Sequence, residues 1–341
     1  MTACVGAVRI RGLGSYLPAR VVSNDEIAPR MNSTPEWIVS HTGIVSRHVA
    51  AADESASTLG ARAARAALAD AGVEPPEIGL LICATSTPDY CNYPSTACLI
   101  QTELGCVNAG AFDLTAACSG FMYGLELARG FLACHPASKV LVVGTEVLSR
   151  AVDWTDRTVA MLFGDGAGAA VLESVPADAP GETSVSLLGA DGMGAGFIAH
   201  EGGYRRSPAE DPLLAPSEST VARPHLTMDG HAVFTFAVRK LAKVVCELCD
   251  RGGCTPGDLD LIVPHQANVR ILEAVARRLA VPPERLFQNL STVGNTSSAS
   301  IPICLDEAVR TGRLRAGARI AMAGFGSGLT WAGLLSRWPY L

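Results

Sequence analysis

GAFDLTAACSGFMYGLELARGFLA, residues 110–133, decides the fold. Its first part, GAFDLTAA (110–117), predicts a strand, and its second, CSGFMYGLELARGFLA (118–133), predicts a helix. A strand that turns straight into a helix is the corner of an α/β unit, and Cys118 occupies this one. Working outward, ASTLGARAARAALADAGV (56–73) has apolar residues at helical spacing and ends in Ala-Gly. IGLLICATS (78–86) is a short, two-sided apolar run between turn signals, as in the buried strands of parallel sheets. KVLVVGTEV (139–147) and AGAAVLES (167–174) read as further strands.

The second half repeats this order. VFTFAVRKLAKVVCELCDRGG (233–253) is an amphipathic helix, and LDLIVPHQAN (259–268) is a strand running into a polar tip. VRILEAVARRLA (269–280) is a helix, and STVGNTSSASIPICLDEAVR (291–310) is a turn entering one. ARIAMAGFGSG (318–328) is a strand ending in a glycine loop, and LTWAGLLSRW (329–338) closes the chain. Laid side by side, 78–86 matches 259–266, the corner at Cys118 matches the corner at Asn295, and KVLVVGTEV matches RIAMAGFGS. The order and spacing predict a duplicated α/β unit, with halves 1–175 and 176–341. Parallel sheets carry ligands at the carboxyl ends of their strands. Those ends bring Cys118, His265, Asn295 and Gly326–Gly328 to one region between the halves.

Residues 200–225 break the pattern, being rich in Pro, Ser and charge. A lid or binding loop and a disordered excursion are both open for them.

The bulk composition narrows the function. A length of 341 residues and 48% hydrophobic content fit a globular protein with ample core material. The net charge of −6 argues against nucleic acid as the main partner, since phosphate contacts need clustered Lys and Arg. No stretch reaches the roughly 18 apolar residues of a membrane span, and the start MTACVGAVRIRG lacks the pattern of a secretory signal. A cytoplasmic protein is expected, with its 11 cysteines as reduced thiols.

Each candidate residue carries two readings. Cys118, at the start of a helix and beside Ser119-Gly120, is either a packing cysteine or a thiolate nucleophile stabilised by the helix terminus. His265 sits at a strand end beside polar residues, where a proton donor or acceptor fits better than a core histidine. Asn295 is either a turn residue or a donor to a developing oxyanion. GFGSGLTW (324–331) offers backbone N–H groups for an oxyanion hole. LFGDGAGAAVL (162–172) lacks the Lys-Ser/Thr of a phosphate loop and reads as a turn leading into a strand. Cys246-x-x-Cys249, with Cys254, has zinc-like spacing but no second ligand pair.

Taken in order, GLGSYLPARVVSNDEI, EWIVSHTGIVSRH, DLTAACSGF, FGDGAGAAVL, PHQANVRI and GNTSSASIP resemble the type III β-ketoacyl-acyl-carrier-protein synthases of the thiolase superfamily, essentially end to end. The resemblance implies a thiolase-like, duplicated α-β-α-β-α layered fold of two pseudo-equivalent halves. It implies a Cys-His-Asn triad of Cys118, His265 and Asn295. An acyl-CoA would acylate Cys118; malonyl-acyl-carrier protein would then lose CO2 and attack the acyl group, starting a fatty acid. It implies no metal or organic cofactor, and a homodimer in which Tyr93 reaches the partner's acyl pocket. The N–H groups of Cys118 and Ser327 would form an oxyanion hole. Trp37, His41, Arg157 and Asn268 would bind CoA, with Trp37 and Arg157 stacking on its adenine. Gln266, Ala267, Asn268, Val269 and Arg270 would meet the carrier protein.

The sequence also departs from the family pattern. His41 stands in place of an arginine, Thr158 follows Arg157 where glycine is common, His231 replaces an asparagine, and the last loop reads Gly326-Ser327-Gly328. These changes leave the donor open between CoA and a carrier protein. They also keep two alternatives in view. One is a starter or acyl-transferring enzyme of polyketide or other specialised metabolism. The other is a non-catalytic partner subunit, against which the complete triad speaks.

Overall fold

Two apolar helices between two sheets form the centre of the molecule. The computed structural model describes residues 7–176, 183–200 and 225–339. The chain opens with β1 (Ala7–Tyr16), β2 (Arg20–Ser23), α1 (Asn24–Ile27), α2 (Pro35–Thr42) and β3 (Ser46–Val49). It continues with α3 (Ala56–Ala71), β4 (Ile78–Ala84), α4 (Thr96–Leu104), β5 (Gly110–Leu114) and α5 (Gly120–Cys134). Then come β6 (Lys139–Glu146), α6 (Arg157–Ala160), β7 (Gly166–Val175), β8 (Thr183–Ala190), β9 (Ile198–His200) and β10 (Leu226–Met228). The rest is α7 (Gly230–Arg251), β11 (Leu261–Pro264), α8 (Val269–Leu279), α9 (Leu290–Val293), α10 (Ser300–Arg310), β12 (Arg319–Gly326) and β13 (Thr330–Arg337).

The first sheet has the order β1-β7-β6-β4-β5, in which β6, β4 and β5 are parallel and β7 and β1 antiparallel to their neighbours. The second runs β8-β13-β12-β11 with the same directions, β11 and β12 parallel and the others antiparallel. The counterpart of β5 has shrunk to one parallel bridge, Leu286 to Ile262, where the Phe287 N–H donates to the Ile262 carbonyl at 2.9 Å.

Packing follows from the apolar patterns. Phe121, Met122 and Leu125 of α5 share one buried cluster with Ile301, Cys304 and Leu305 of α10 and with residues of both sheets. A helix covered on both sides has no polar face to keep, which is why 118–133 is apolar nearly all round. The amphipathic α3 and α4 cover the far face of the first sheet, and α7 and α8 that of the second. The result is five layers, α-β-α-β-α.

The sequence patterns do not predict β1 or β8. In β1, Gly12 and Gly14 interrupt the strand signal because α3 lies directly over them. The stretch 291–310 is not one turn and helix: Gly294, at φ +74°, separates α9 from a 3-10 turn and α10. Of the Pro- and Ser-rich stretch, residues 201–224 lie outside the described residues, as do 177–182 between β7 and β8.

Candidate active site

The two central helices begin in the same way. A 3-10 turn, Ala117–Ser119, feeds α5, and its twin, Ser297–Ala299, feeds α10. Each turn starts in the left-handed region, Ala117 at φ +46° and Ser297 at φ +47°. The expected correspondence of the corners therefore holds with an offset: Cys118 pairs with Ser298, and Asn295 lies three residues upstream in its own corner. The corners pack on strand ends. A Cβ at Gly326 of β12 would lie 2.7 Å from the Cys118 nitrogen, and one at Gly144 of β6 would lie 2.4 Å from the Ser298 carbonyl oxygen.

Cys118, His265, Asn295, Ser297, Phe325 and Ser327 all line one cavity of about 970 Å³, so strand ends from both sheets meet in it. The His265 N–H donates to the Ala323 carbonyl at 2.9 Å, continuing the β11–β12 ladder by one residue. Its ring meets Phe325 edge-on, 5.5 Å between centroids, and its Nδ1 is buried without a partner. Asn295 is fixed through its backbone, its N–H donating to Leu162 at 2.9 Å and its carbonyl accepting from Gly164 at 3.1 Å. The glycine-rich 162–172 stretch thus leads into β7 and also clamps Asn295. Asn295 Oδ1 accepts the Ser297 N–H at 2.9 Å, which leaves the amide N–H₂ for the cavity. Thr330 Oγ1 donates to the Ala116 carbonyl at 3.0 Å and accepts from Ser119 Oγ at 2.7 Å, tying the nucleophile turn to β13. Ser327 Oγ donates to the Ile198 carbonyl at 2.5 Å.

The electrostatics differ from the sequence expectation. Burial pushes the Cys118 thiol up to about 12, and the Glu146 carboxylate works the same way. Hydrogen bonds from the Ser297 hydroxyl and from the Cys118 N–H oppose this and do not overcome it. The helix terminus thus does not lower the thiol on balance, because desolvation is the larger effect. Burial pushes the His265 imidazole down to about 3. At neutral pH both groups are uncharged, a thiol and an imidazole lining one cavity.

Glu146, fully buried, accepts from Ser86 N–H at 3.0 Å, Thr87 Oγ1 at 2.8 Å and Ser298 Oγ at 2.8 Å, while burial raises its carboxyl. Arg47, also fully buried, donates to Asn24 Oδ1 at 2.8 Å and to the Met161 carbonyl at 3.0 Å. It lies behind Gly294, where a Cβ would meet its own at 3.2 Å. Sequence reasoning missed Glu146, Arg47, Ser297 and Phe325. Only Ser297 had a signal, its place two residues after Asn295.

Trp37, His41, Arg157, Asn268 and Arg270 ring the cavity mouth. His41 stacks on Trp37 at 4.0 Å and 23°, and the Arg157 guanidinium lies 5.4 Å from the centroid of a Trp37 ring. That contact leaves no room for a planar base between Trp37 and Arg157, so an adenine clamp there requires Arg157 to swing aside. Asn268 caps α8 through the Arg270 N–H at 2.8 Å and donates to the His41 carbonyl at 3.0 Å. Arg270 is exposed and donates to the Ser40 carbonyl at 2.9 Å.

Of the five expected carrier-protein contacts, Gln266 and Ala267 are corrected. Both are buried, and Gln266 Nε2 donates inward to Pro264 at 2.9 Å and Phe287 at 3.1 Å. Asn268 and Val269 are half-buried. Tyr93 lies 79% exposed, outside the cavity lining. Cys249 is buried on α7 and Cys246 exposed. Among the described residues, no group of three or more His, Cys, Asp or Glu is placed to hold a metal ion.

Family models for 3-oxoacyl-[acyl-carrier-protein] synthase III match residues 112–202, and for its C-terminal region residues 249–338. The β-ketoacyl-[acyl-carrier-protein] synthase III of Methylococcus capsulatus is 46% identical over 330 residues, covering 97% of this chain and 98% of its own. That of Caldanaerobacter subterraneus is 41% identical, with 97% and 98% covered. Among solved structures, the 3-oxoacyl-(acyl carrier protein) synthase III of Pseudomonas aeruginosa superposes with a TM-score of 0.89 at 41% identity, covering 98% of this chain and 99% of that one. The priming β-ketosynthase of the R1128 polyketide pathway superposes at 0.88 with 41% identity, covering 98% and 97%.

Proposed function

The chain belongs to the 3-oxoacyl-[acyl-carrier-protein] synthase III family, and from that premise we propose how its residues carry out the condensation that initiates fatty acid synthesis. The observation that supports the reading is the single cavity holding Cys118, His265, Asn295 and Ser327 at the ends of strands from both sheets.

In the first step the Cys118 sulfur attacks the thioester carbon of an acyl-CoA. The S–C bond forms as the thiol proton is lost toward the departing CoA sulfur, with His265 neutral throughout. The carbonyl oxygen becomes negative and is held by the Cys118 and Ser327 N–H groups. The tetrahedral adduct collapses, and CoA leaves as a thiol, taking the proton. The long, largely apolar cavity suits a pantetheine arm and an acyl chain end to end.

In the second step malonyl-acyl-carrier protein brings a malonyl thioester to the same mouth. Its C–CO2 bond breaks and the electron pair moves toward the thioester oxygen. His265 and the Asn295 amide donate to that oxygen as charge builds there. The carbon then attacks the acyl-Cys118 thioester, and Cys118 leaves as thiolate. A neutral imidazole donor is what this step needs, because protonated His265 would be costly in so buried a place.

The exposed Arg270 beside the mouth offers a cation to an acidic carrier. The open edge of β5, with Phe112, Val107 and Tyr90 exposed nearby, suits pairing with a second copy, which light scattering at twice 35.5 kDa would register. No helix among the described residues is long and apolar enough to cross a membrane.

A second reading, a priming enzyme of specialised metabolism, is favoured by one observation: the mouth carries His41 stacked on Trp37 with Arg157 already against it. Acetyl-CoA and malonyl-acyl-carrier protein separate the two. A β-ketoacyl product supports the first reading. Its absence, with turnover of another acyl thioester, supports the second.

A further inference from the structure

The nucleophile turn and the last loop meet at Gly326. An added Cβ there would lie 2.7 Å from the Cys118 nitrogen and 3.0 Å from the Ala116 carbonyl oxygen. Ser327 follows directly, so the Cys118 and Ser327 N–H groups belong to two segments in backbone contact. Contact sets how near the segments come, not how they are turned. Two hydroxyls supply the second constraint. Ser119 Oγ, fully buried, donates to Thr330 Oγ1 at 2.7 Å and lies 2.8 Å from the Ala116 carbonyl oxygen. Thr330 Oγ1, at the start of β13, stands 3.0 Å from the Ala116 carbonyl oxygen and 3.1 Å from that of Ser327. Its one hydrogen is shared between a carbonyl of the turn and a carbonyl of the loop. The twin turn, Ser297–Ala299, has alanine where this one has Ser119, so a 3-10 turn of this kind needs no hydroxyl at that place. The Ser119–Thr330 pair therefore needs a reason beyond forming the turn.

We propose that Thr330 is a positioning residue for the oxyanion hole: its hydroxyl, held by Ser119, bridges the nucleophile turn to the last loop and fixes the separation and aim of the Cys118 and Ser327 N–H groups. The proposal rests on the reading that these two groups hold the acyl oxyanion. Two donors help only where both point at the place the charge develops, and a displacement of about 1 Å costs up to about 10²-fold in rate. None of the bonds in the bridge involves His265 or Asn295, which serve the decarboxylation. The bridge thus acts on acyl transfer and not on CO2 loss.

Thr330→Val keeps the β-branched shape and removes the hydroxyl, and Thr330→Ser keeps the hydroxyl. On each protein two rates are measured: acylation of Cys118 by an acyl-CoA, read by mass spectrometry, and CO2 release from malonyl-acyl-carrier protein. The valine variant is expected to acylate about tenfold slower while releasing CO2 within about twofold of the wild type. The serine variant is expected to acylate at close to the wild-type rate. CO2 release by the same sample also shows that the variant is folded. Crystal structures of the wild type and Thr330→Val give a readout free of chemistry, in which the separation of the Cys118 and Ser327 nitrogens is expected to change by about 0.5 Å or more. Wild-type acylation in the valine variant, an equal fall of both rates, a serine variant as slow as the valine one, or an unchanged separation overturns the proposal. A wild type that is never acylated contradicts the condensing-enzyme reading instead, and the nitrogen separation then decides on Thr330 alone.

Discussion

His265 is neutral in the folded protein far below its ordinary range, and this has two consequences. The first concerns rate. His265→Ala and Asn295→Ala each remove a donor to the enolate-like oxygen, a loss of about 10²–10³ in condensation. Decarboxylation assays with malonyl-acyl-carrier protein should show that loss for both. Asn295→Ala should still accept an acyl group on Cys118, because Asn295 has no part in the first step. The second concerns stability. The imidazole titrates near 3 when folded and near 6.5 when unfolded, so between those values the unfolded chain binds the extra proton. Stability is therefore full above about 6.5 and falls as pH drops, by about 1.4 kcal/mol per unit from this group. Urea unfolding at pH 7 and 5.5 should show a shallower fall in His265→Gln. An equal fall in both proteins would contradict the buried neutral imidazole. At this scale the residue types were legible: a cysteine at a corner, a histidine at a strand end and an asparagine after glycine. Their charge states were not, because desolvation depends on packing from both sheets. Glu146 and Arg47 were illegible for the same reason, being charged residues whose burial no local pattern announces.

Elements place these side chains through close backbone approach. Gly326 ends β12 against the nucleophile turn, where an added Cβ would lie 2.7 Å from the Cys118 nitrogen. Gly326→Ala must push the turn aside or shift the strand, costing about 1–3 kcal/mol and most of the activity. Gly130, an exposed position near the end of α5 with open space around it, is the contrast: Gly130→Ala should stabilise by about 0.5–1 kcal/mol with activity kept. Thermal melts and acylation rates on the two variants check the pair. Equal effects would mean that glycine at 326 serves only chain flexibility. Strands with two-sided apolar runs, such as 78–84, and helices with clear periodicity, such as 56–71, were readable from sequence. β1 was not, since the glycines that seat α3 also erase its strand pattern. The 291–310 stretch was readable as turn and helix but not as two helices, because Gly294 breaks it with a backbone angle rather than a composition change.

At the scale of the molecule, the duplication is what builds the site. Sheet order, strand direction and the two 3-10 corners repeat, and the repeats place Cys118 from one sheet against His265 and Asn295 from the other. The repeat was legible because matched segments keep order and spacing. Its three-residue offset and the buried side of PHQAN were not, because both depend on which way a turn points. At the mouth of the site, Arg157 rests on Trp37. Arg157→Ala should raise the KM for acyl-CoA severalfold, with little change in the KM for malonyl-acyl-carrier protein, if nucleotide binding uses that arginine. The most direct test of the whole account is a mass measurement of the Cys118 peptide after incubation with an acyl-CoA and again after a chase with malonyl-acyl-carrier protein. The account predicts one acyl adduct on Cys118 that disappears in the chase as a β-ketoacyl-carrier product appears. Product formation by Cys118→Ala at the wild-type rate, or an adduct on another residue that the chase consumes, would contradict it.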